Sequence, residues 1–164
     1  MRSRTAALGS ALFFLVAPCV VAGVVPWTLT RWRPGPYASP AAAVAGSALV
    51  CAGLPVLLEA FVRFARAGRG TPSPTHPPEH LVVSGAYRYV RNPMYVAVLA
   101  IIAGQALLLG RTQLWSYAAG CALFAHLFVV FYEEPTLRDQ FGADYERYTL
   151  GVRRWWPRLR PWRS

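Results

Sequence analysis

The chain has 164 residues, 55% of them hydrophobic, and a formal charge of +10 from 17 basic and 7 acidic side chains. A single-domain length combined with positive mean hydropathy excludes an ordinary soluble domain, whose surface requires more charge than this. Every basic residue is arginine, and the arginines flank apolar runs instead of forming a continuous basic patch, which favours a membrane surface over nucleic acid as the partner.

The first apolar stretch, 6–29, follows Arg2 and Arg4. That order also suits a signal peptide, and 15–19 faintly resembles a lipoprotein cleavage box. Pro18 interrupts the box, however, and three more uncharged stretches follow at 40–58, 93–110 and 114–132. Each is near the roughly 20 residues needed to cross hydrocarbon. The expected fold is therefore an all-α, polytopic membrane helical bundle of about four transmembrane helices. Cys19, Cys51 and Cys121 each fall in a different stretch without a CxxC pair, and are expected to be small buried residues.

Trp27, Trp32 and Tyr37 follow the first stretch, and Trp155, Trp156 and Trp162 lie beyond the last; both groups suit interfacial anchoring. Segment 68–78 carries four prolines and is expected to be a cytoplasmic connector. The last two stretches are joined only by Arg111, Thr112 and Gln113, which predicts a tight antiparallel helical hairpin with Gly104, Gly110 and Gly120 allowing close packing. After Tyr132 the pattern changes. Leu137, Phe141, Tyr145 and Tyr148 recur at helical spacing, with Pro135 at the first helical position, predicting an amphipathic helix on the membrane surface.

Placing the N-terminus inside puts fourteen arginines on the cytoplasmic side and only Arg31, Arg33 and Arg111 opposite. The positive-inside rule then puts both termini in the cytoplasm. The chain divides into two N-terminal spans (1–62), a basic linker (63–92), the hairpin (93–132) and a helix with a basic tail (133–164).

Paired carboxylates at a membrane boundary are costly, so Glu133 and Glu134 require an explanation. A solvated helix start with a favourable dipole is the bland one. Against it, the hairpin brings a second polar cluster, residues 87–95, to the same face. Together they offer carboxylates for a cation or polyol, guanidinium groups for an anion, and aromatic rings for a cation or purine. An aminoacyl nucleoside sulfonium satisfies all of these. Elsewhere, Glu59 and Arg63 have the i,i+4 spacing of an ion pair, and His126 is expected to form an interior structural bond. His76 and His80, separated by prolines and without further ligands nearby, give no metal site.

The run Gly85-Ala-Tyr-Arg-Tyr-Val-Arg-Asn-Pro-Met-Tyr95, an apolar hairpin, and then Glu133-Glu-Pro-x-Leu-x3-Phe-Gly-x2-Tyr-x2-Tyr148 together resemble the isoprenylcysteine carboxyl methyltransferase family. The related phospholipid methyltransferases share the pattern. The resemblance covers about half the chain and implies a bacterial-type inner-membrane enzyme. It further implies a cytoplasm-facing pocket for S-adenosylmethionine, with a lipophilic substrate entering from the bilayer.

By position, the resemblance assigns cofactor binding to Tyr87, Arg91, Asn92, Pro93, Tyr95, Glu133, Glu134, Tyr145 and Tyr148, with Arg153 or Arg154 in the tail. Arg91, Glu133 and Glu134 are the candidate catalytic residues. Asn92 stands where eukaryotic carboxyl methyltransferases have histidine, and it has no acid–base role near neutral pH. Ala97 stands where a glycine often follows the motif tyrosine. The acceptor is then a lipid, an isoprenoid acid or a small thiol. Two other readings compete: a membrane NADPH-dependent sterol-type reductase, and a non-enzymatic small membrane protein whose arginines bind anionic lipid or a partner.

Overall fold

The computed structural model describes residues 16–67 and 81–163, without the side chains of 64–67. Arg2, Arg4, the start of the first apolar stretch, and the connector with His76 and His80 lie outside them. Among the described residues the chain is entirely helical. It forms α1 (Val16–Thr30), α2 (Pro40–Ala67), a short 3-10 turn (Gly85–Arg88), α3 (Pro93–Leu109), α4 (Thr112–Phe141) and α5 (Ala143–Gly151).

Two of these helices are long and apolar enough to cross a bilayer: α2, over Pro40–Arg63, and α4. Only 11% and 17% of the residues in their apolar windows are buried, so neither is the core helix of a soluble protein. Val44, Leu58, Phe124 and Phe131 project apolar surface outward, as lipid-facing side chains do. Helices α1 and α3 are apolar but shorter. At 17 residues, α3 is about 25 Å long against a hydrocarbon core of about 30 Å.

Helices α3 and α4 form the expected hairpin. Gly110 ends α3 with a φ of 58°, the left-handed conformation that glycine adopts without penalty. A side chain there would also strike the backbone of Tyr37 and Ala38. Ala106, Leu109 and Leu114 close the apolar corner of the turn.

The glycine-mediated packing falls elsewhere than expected. Gly104 faces α2: a Cβ on it would lie 2.7 Å from the Gly46 carbonyl oxygen and 2.8 Å from Val50 Cγ2. Reciprocally, a Cβ on Gly46 would meet the Gly104 carbonyl and lie 2.6 Å from Leu108 N. Gly53 similarly faces the Ala97 carbonyl and Ile101, so Ala97 fits because its partner helix carries the glycine. Gly120, by contrast, has nothing within 4 Å of its would-be Cβ. Close backbone approach therefore joins α2 to α3, where small residues let helices pack without a hydrophobic driving force. Replacing Gly104 by valine is expected to destabilise the protein by about 1–3 kcal/mol, read as a lower unfolding midpoint in detergent; an unchanged midpoint would rule out this packing.

Helix α1 is tied down by polar side chains. It contains a π-helical turn, Val20–Val24. Gln105 donates to the Ala22 carbonyl at 2.7 Å and Tyr117 to the Val21 carbonyl at 2.8 Å. The Gln105 oxygen accepts from Trp32 Nε1 at 3.2 Å, so Trp32 is partly engaged within the bundle. Cys19 and Cys51 are exposed on apolar helices, correcting the expectation that they are buried; an apolar helix can turn small residues towards lipid at no cost.

A second π-helical turn, Val129–Glu133, lies within α4 and leads directly into Glu134–Phe141. Pro135 lacks an amide proton and its ring would crowd the carbonyl four residues earlier. The widened turn accommodates it, so α4 continues instead of a new helix starting. The expected amphipathic helix is broken at Gly142, which takes a φ of 48°, into the end of α4 and the separate α5. Its apolar positions still converge: Leu137 and Phe141 pack on Tyr145, Tyr148 and Val152.

Candidate active site

The polar residues gather at one end of the bundle, where α3 begins and α4 loses its apolar character. The chain entering α3 is set by a turn anchored on α2. Glu59 pairs with Arg63 one helical turn on, as the spacing implied, and also accepts from the Ala86 amide at 3.3 Å. Gly85, with a φ of 58°, sits so close to that pair that a side chain would overlap Glu59 Oε1 and Arg63 Nε. Glu59 thus fixes the turn that delivers Tyr87, which packs with Ala60, Val82 and Met94.

Residues 152–163 then fold back along this entering segment. The Arg91 amide donates to the Arg153 carbonyl, the Arg158 amide to the Tyr89 carbonyl and the Trp162 amide to the Arg88 carbonyl, each at 2.9 Å. The two segments run in opposite directions. Asn92 strengthens the pairing by donating from Nδ2 to the Arg154 carbonyl at 3.1 Å. Tyr148 donates its hydroxyl to the Tyr87 carbonyl at 2.6 Å. Burial raises the Tyr148 phenol well above its ordinary pKa, outweighing the nearby charge of Arg91, so it remains a donor.

Glu134 is the hub. Its carboxylate accepts from Arg154 in a fork, Nε to Oε1 at 2.6 Å and Nη2 to Oε2 at 2.9 Å. Arg91 Nη1 lies 3.1 Å from the same Oε1. Two guanidinium groups converge on one carboxylate that is only 6% exposed, and bidentate geometry makes such pairing both strong and directional. Arg91 Nε is buried and finds no hydrogen-bond partner among the described residues.

Glu133 faces a different way. Its Oε2 accepts from the Tyr95 hydroxyl at 3.3 Å. The Tyr95 ring meets Trp155 edge-on, with centroids 6.4 Å apart, and Trp155 donates from Nε1 to His126 Nδ1 at 3.2 Å. His126 is exposed, so its bond goes to the folded-back tail and not into the bundle interior. Of the tail tryptophans, Trp155 and Trp162 are packed, Trp162 edge-on against Tyr148 at 5.5 Å. Trp156 alone of the three is strongly exposed.

All the anticipated residues are brought together in this region. Arg91, Glu134 and Asn92 share one hydrogen-bonded cluster, while Glu133 and Tyr95 form the adjoining face. Pro93 is fully buried at the first turn of α3. Tyr87, Tyr145 and Tyr148 form buried supports behind them. Sequence reasoning missed the Arg154 fork, the Trp155–His126 bond and the hold of Glu59 on the Gly85 turn. The partners lie 20 to 29 residues apart, beyond any local periodicity.

The fold and this cluster define a small helical membrane protein with a charged, aromatic-lined site at one end of its bundle. A family model described as phospholipid methyltransferase matches residues 41–144, and the chain belongs to that family, which makes it a membrane methyltransferase by descent. The chain is 36% identical over 62 residues to an uncharacterized protein of Haemophilus influenzae, a match covering 38% of this chain and 98% of that protein. No solved structure matches.

Proposed function

We propose that the protein is an S-adenosylmethionine-dependent methyltransferase acting on a lipophilic or small acceptor drawn from the membrane. In this reading the chain has four spans, both termini are cytoplasmic, and the membrane is a bacterial inner membrane. The observation that carries the cofactor assignment is the combination of Glu133, held by one long hydrogen bond, and a buried Arg91 nitrogen that has no partner among the described residues. A ligand bearing both a cation and a carboxylate complements these two groups.

The residues fit such a cofactor. Glu133 would take its ammonium or ribose hydroxyl groups, Arg91 its carboxylate, and Tyr95 with Trp155 would offer ring surface to the sulfonium. Glu134, already engaged by two arginines, holds Arg91 in position. When bound, the cofactor supplies an activated methyl group, so little further chemistry is required of side chains. This chain contributes orientation and exclusion of water. A carboxylate acceptor needs no base; an amine, thiol or hydroxyl must lose a proton, and Glu133 is the nearest acceptor for it.

Titration calorimetry of the detergent-purified protein with S-adenosylmethionine and, separately, NADPH tests this reading. Saturable S-adenosylmethionine binding that is lost in Arg91→Ala is the expected result. Binding of NADPH alone would favour the sterol-type reductase, and no binding of either by folded protein would favour a non-enzymatic role.

A further inference from the structure

At the other end of the paired strip from Glu134, the tail and the entering segment enclose a cleft of about 170 Å³ lined by Val83, Arg88, Trp162 and Arg163. Arg88 donates from Nε to the Trp162 carbonyl at 2.7 Å, and among the described residues its guanidinium is held through that nitrogen alone. Arg163 is exposed. Among the described residues no carboxylate pairs with Arg88, Arg158, Arg160 or Arg163: the ion pairs of that region are made by Glu59, Asp144 and Glu134.

The same tail, together with the last turn of α5, exposes large apolar side chains close in sequence. Leu150 is 90% exposed, Trp156 75% and Leu159 100%. Unneutralised guanidinium groups interleaved with exposed leucine and tryptophan are the composition of a segment that lies in a membrane interface. Its location agrees, because the tail is hydrogen-bonded to the residues immediately preceding α3, at the end of the bundle where α4 turns polar.

We propose that the cleft between Arg88 and Arg163 binds the phosphate of an anionic phospholipid headgroup, while Leu150, Trp156 and Leu159 enter the adjoining interface. Val83 and Trp162 give the cleft an apolar wall, and the two guanidinium groups supply paired donors to phosphate oxygens. This site is distinct from the Glu133 face and stands whether or not S-adenosylmethionine is the cofactor. Its consequence is mechanical: a lipid clamped between Arg88 and Arg163 ties the tail to the entering segment, and through it holds Arg154 against Glu134.

Native mass spectrometry of the full-length protein released from detergent, supplied with phosphatidylglycerol or phosphatidylcholine, tests the proposal. Wild type is expected to retain phosphatidylglycerol preferentially. Arg163→Gln should weaken that preference about fivefold, and Arg88→Gln with Arg163→Gln by about the square of that factor. Arg160→Gln, a neighbouring exposed arginine outside the cleft, should have a smaller effect. Should the double variant fail to fold, Arg163→Gln alone decides, since Arg163 makes no ion pair among the described residues. Undiminished preference in Arg163→Gln, an equal loss in Arg160→Gln, or displacement of the lipid by millimolar inorganic phosphate would each overturn a lipid-specific cleft.

Discussion

Glu134→Ala is expected to detach the tail from the bundle and lower stability by about 3 kcal/mol, the cost of stranding charges when one member of a buried ion pair is removed. Two guanidinium groups lose their shared acceptor in that variant, and Arg154 loses both bonds of its fork. The tail is otherwise held by backbone pairing with residues 88–91, by the side chains of Asn92 and Arg88, by the Trp155 bond to His126, and by the packing of Trp162 on Tyr148. Limited trypsin digestion reads the consequence, because the cleavable bonds after Arg153, Arg154, Arg158 and Arg163 all lie in this segment. Cleavage there should accelerate strongly in Glu134→Ala and fall between wild type and alanine in Glu134→Gln. Arg154→Lys should behave like a partial loss, since an ammonium cannot reproduce the planar fork. Tail protection equal to wild type in Glu134→Ala would refute the role of Glu134 as hub.

Glu133→Ala is expected to act differently, weakening cofactor binding while leaving the fold intact. Glu133 has one long contact, to Tyr95, so little stability depends on it. Under the proposed function it supplies charge-assisted bonds to the ligand, worth about 1.5–3 kcal/mol, equivalent to roughly a ten- to hundredfold weaker dissociation constant for S-adenosylmethionine. Tyr95→Phe removes only the hydroxyl that donates to Glu133 and should weaken binding about fivefold. Calorimetry on both variants, with the unfolding midpoint measured alongside, separates the two carboxylates: Glu134 loss lowers the midpoint and frees the tail, whereas Glu133 loss changes affinity alone. Wild-type affinity in Glu133→Ala would remove it from the binding site and leave Arg91 as the residue to pursue.

The two adjacent residues fall on either side of a boundary, Glu133 as the last residue of the π-helical turn and Glu134 as the first of the α-helical segment that follows. Neighbours on a regular helix differ by about 100° in direction, so a doublet read from sequence gives no indication that one carboxylate meets the tail and the other meets α3. Pro135 was legible as a helix-start signal, and that reading is physically sound for a chain viewed locally. The alternative, a π turn that absorbs the missing amide and lets α4 continue, depends on Val129 being packed against the rest of the bundle. Likewise, Gly104 was legible as a small interfacial residue, but which helix it faces depends on the rotation of α3 about its axis.

Much of the molecule is written locally. Uncharged runs long enough for a bilayer, the Gly110 stop, the Glu59–Arg63 spacing and the polar cluster at 87–95 follow from residue type and near-neighbour spacing, because helix formation and capping are short-range. The sequence by itself therefore determined an all-helical membrane protein with an acidic doublet and an Asn-Pro-x-Tyr turn at one end. Tertiary structure alone decided the pairing of α2 with α3 through Gly46 and Gly104, the return of the tail along residues 88–91, and the assignment of Arg154 to Glu134. Those contacts join residues 20 to more than 70 positions apart, and their geometry is set by packing and hydrogen-bond satisfaction across the whole bundle, on which no local pattern carries information.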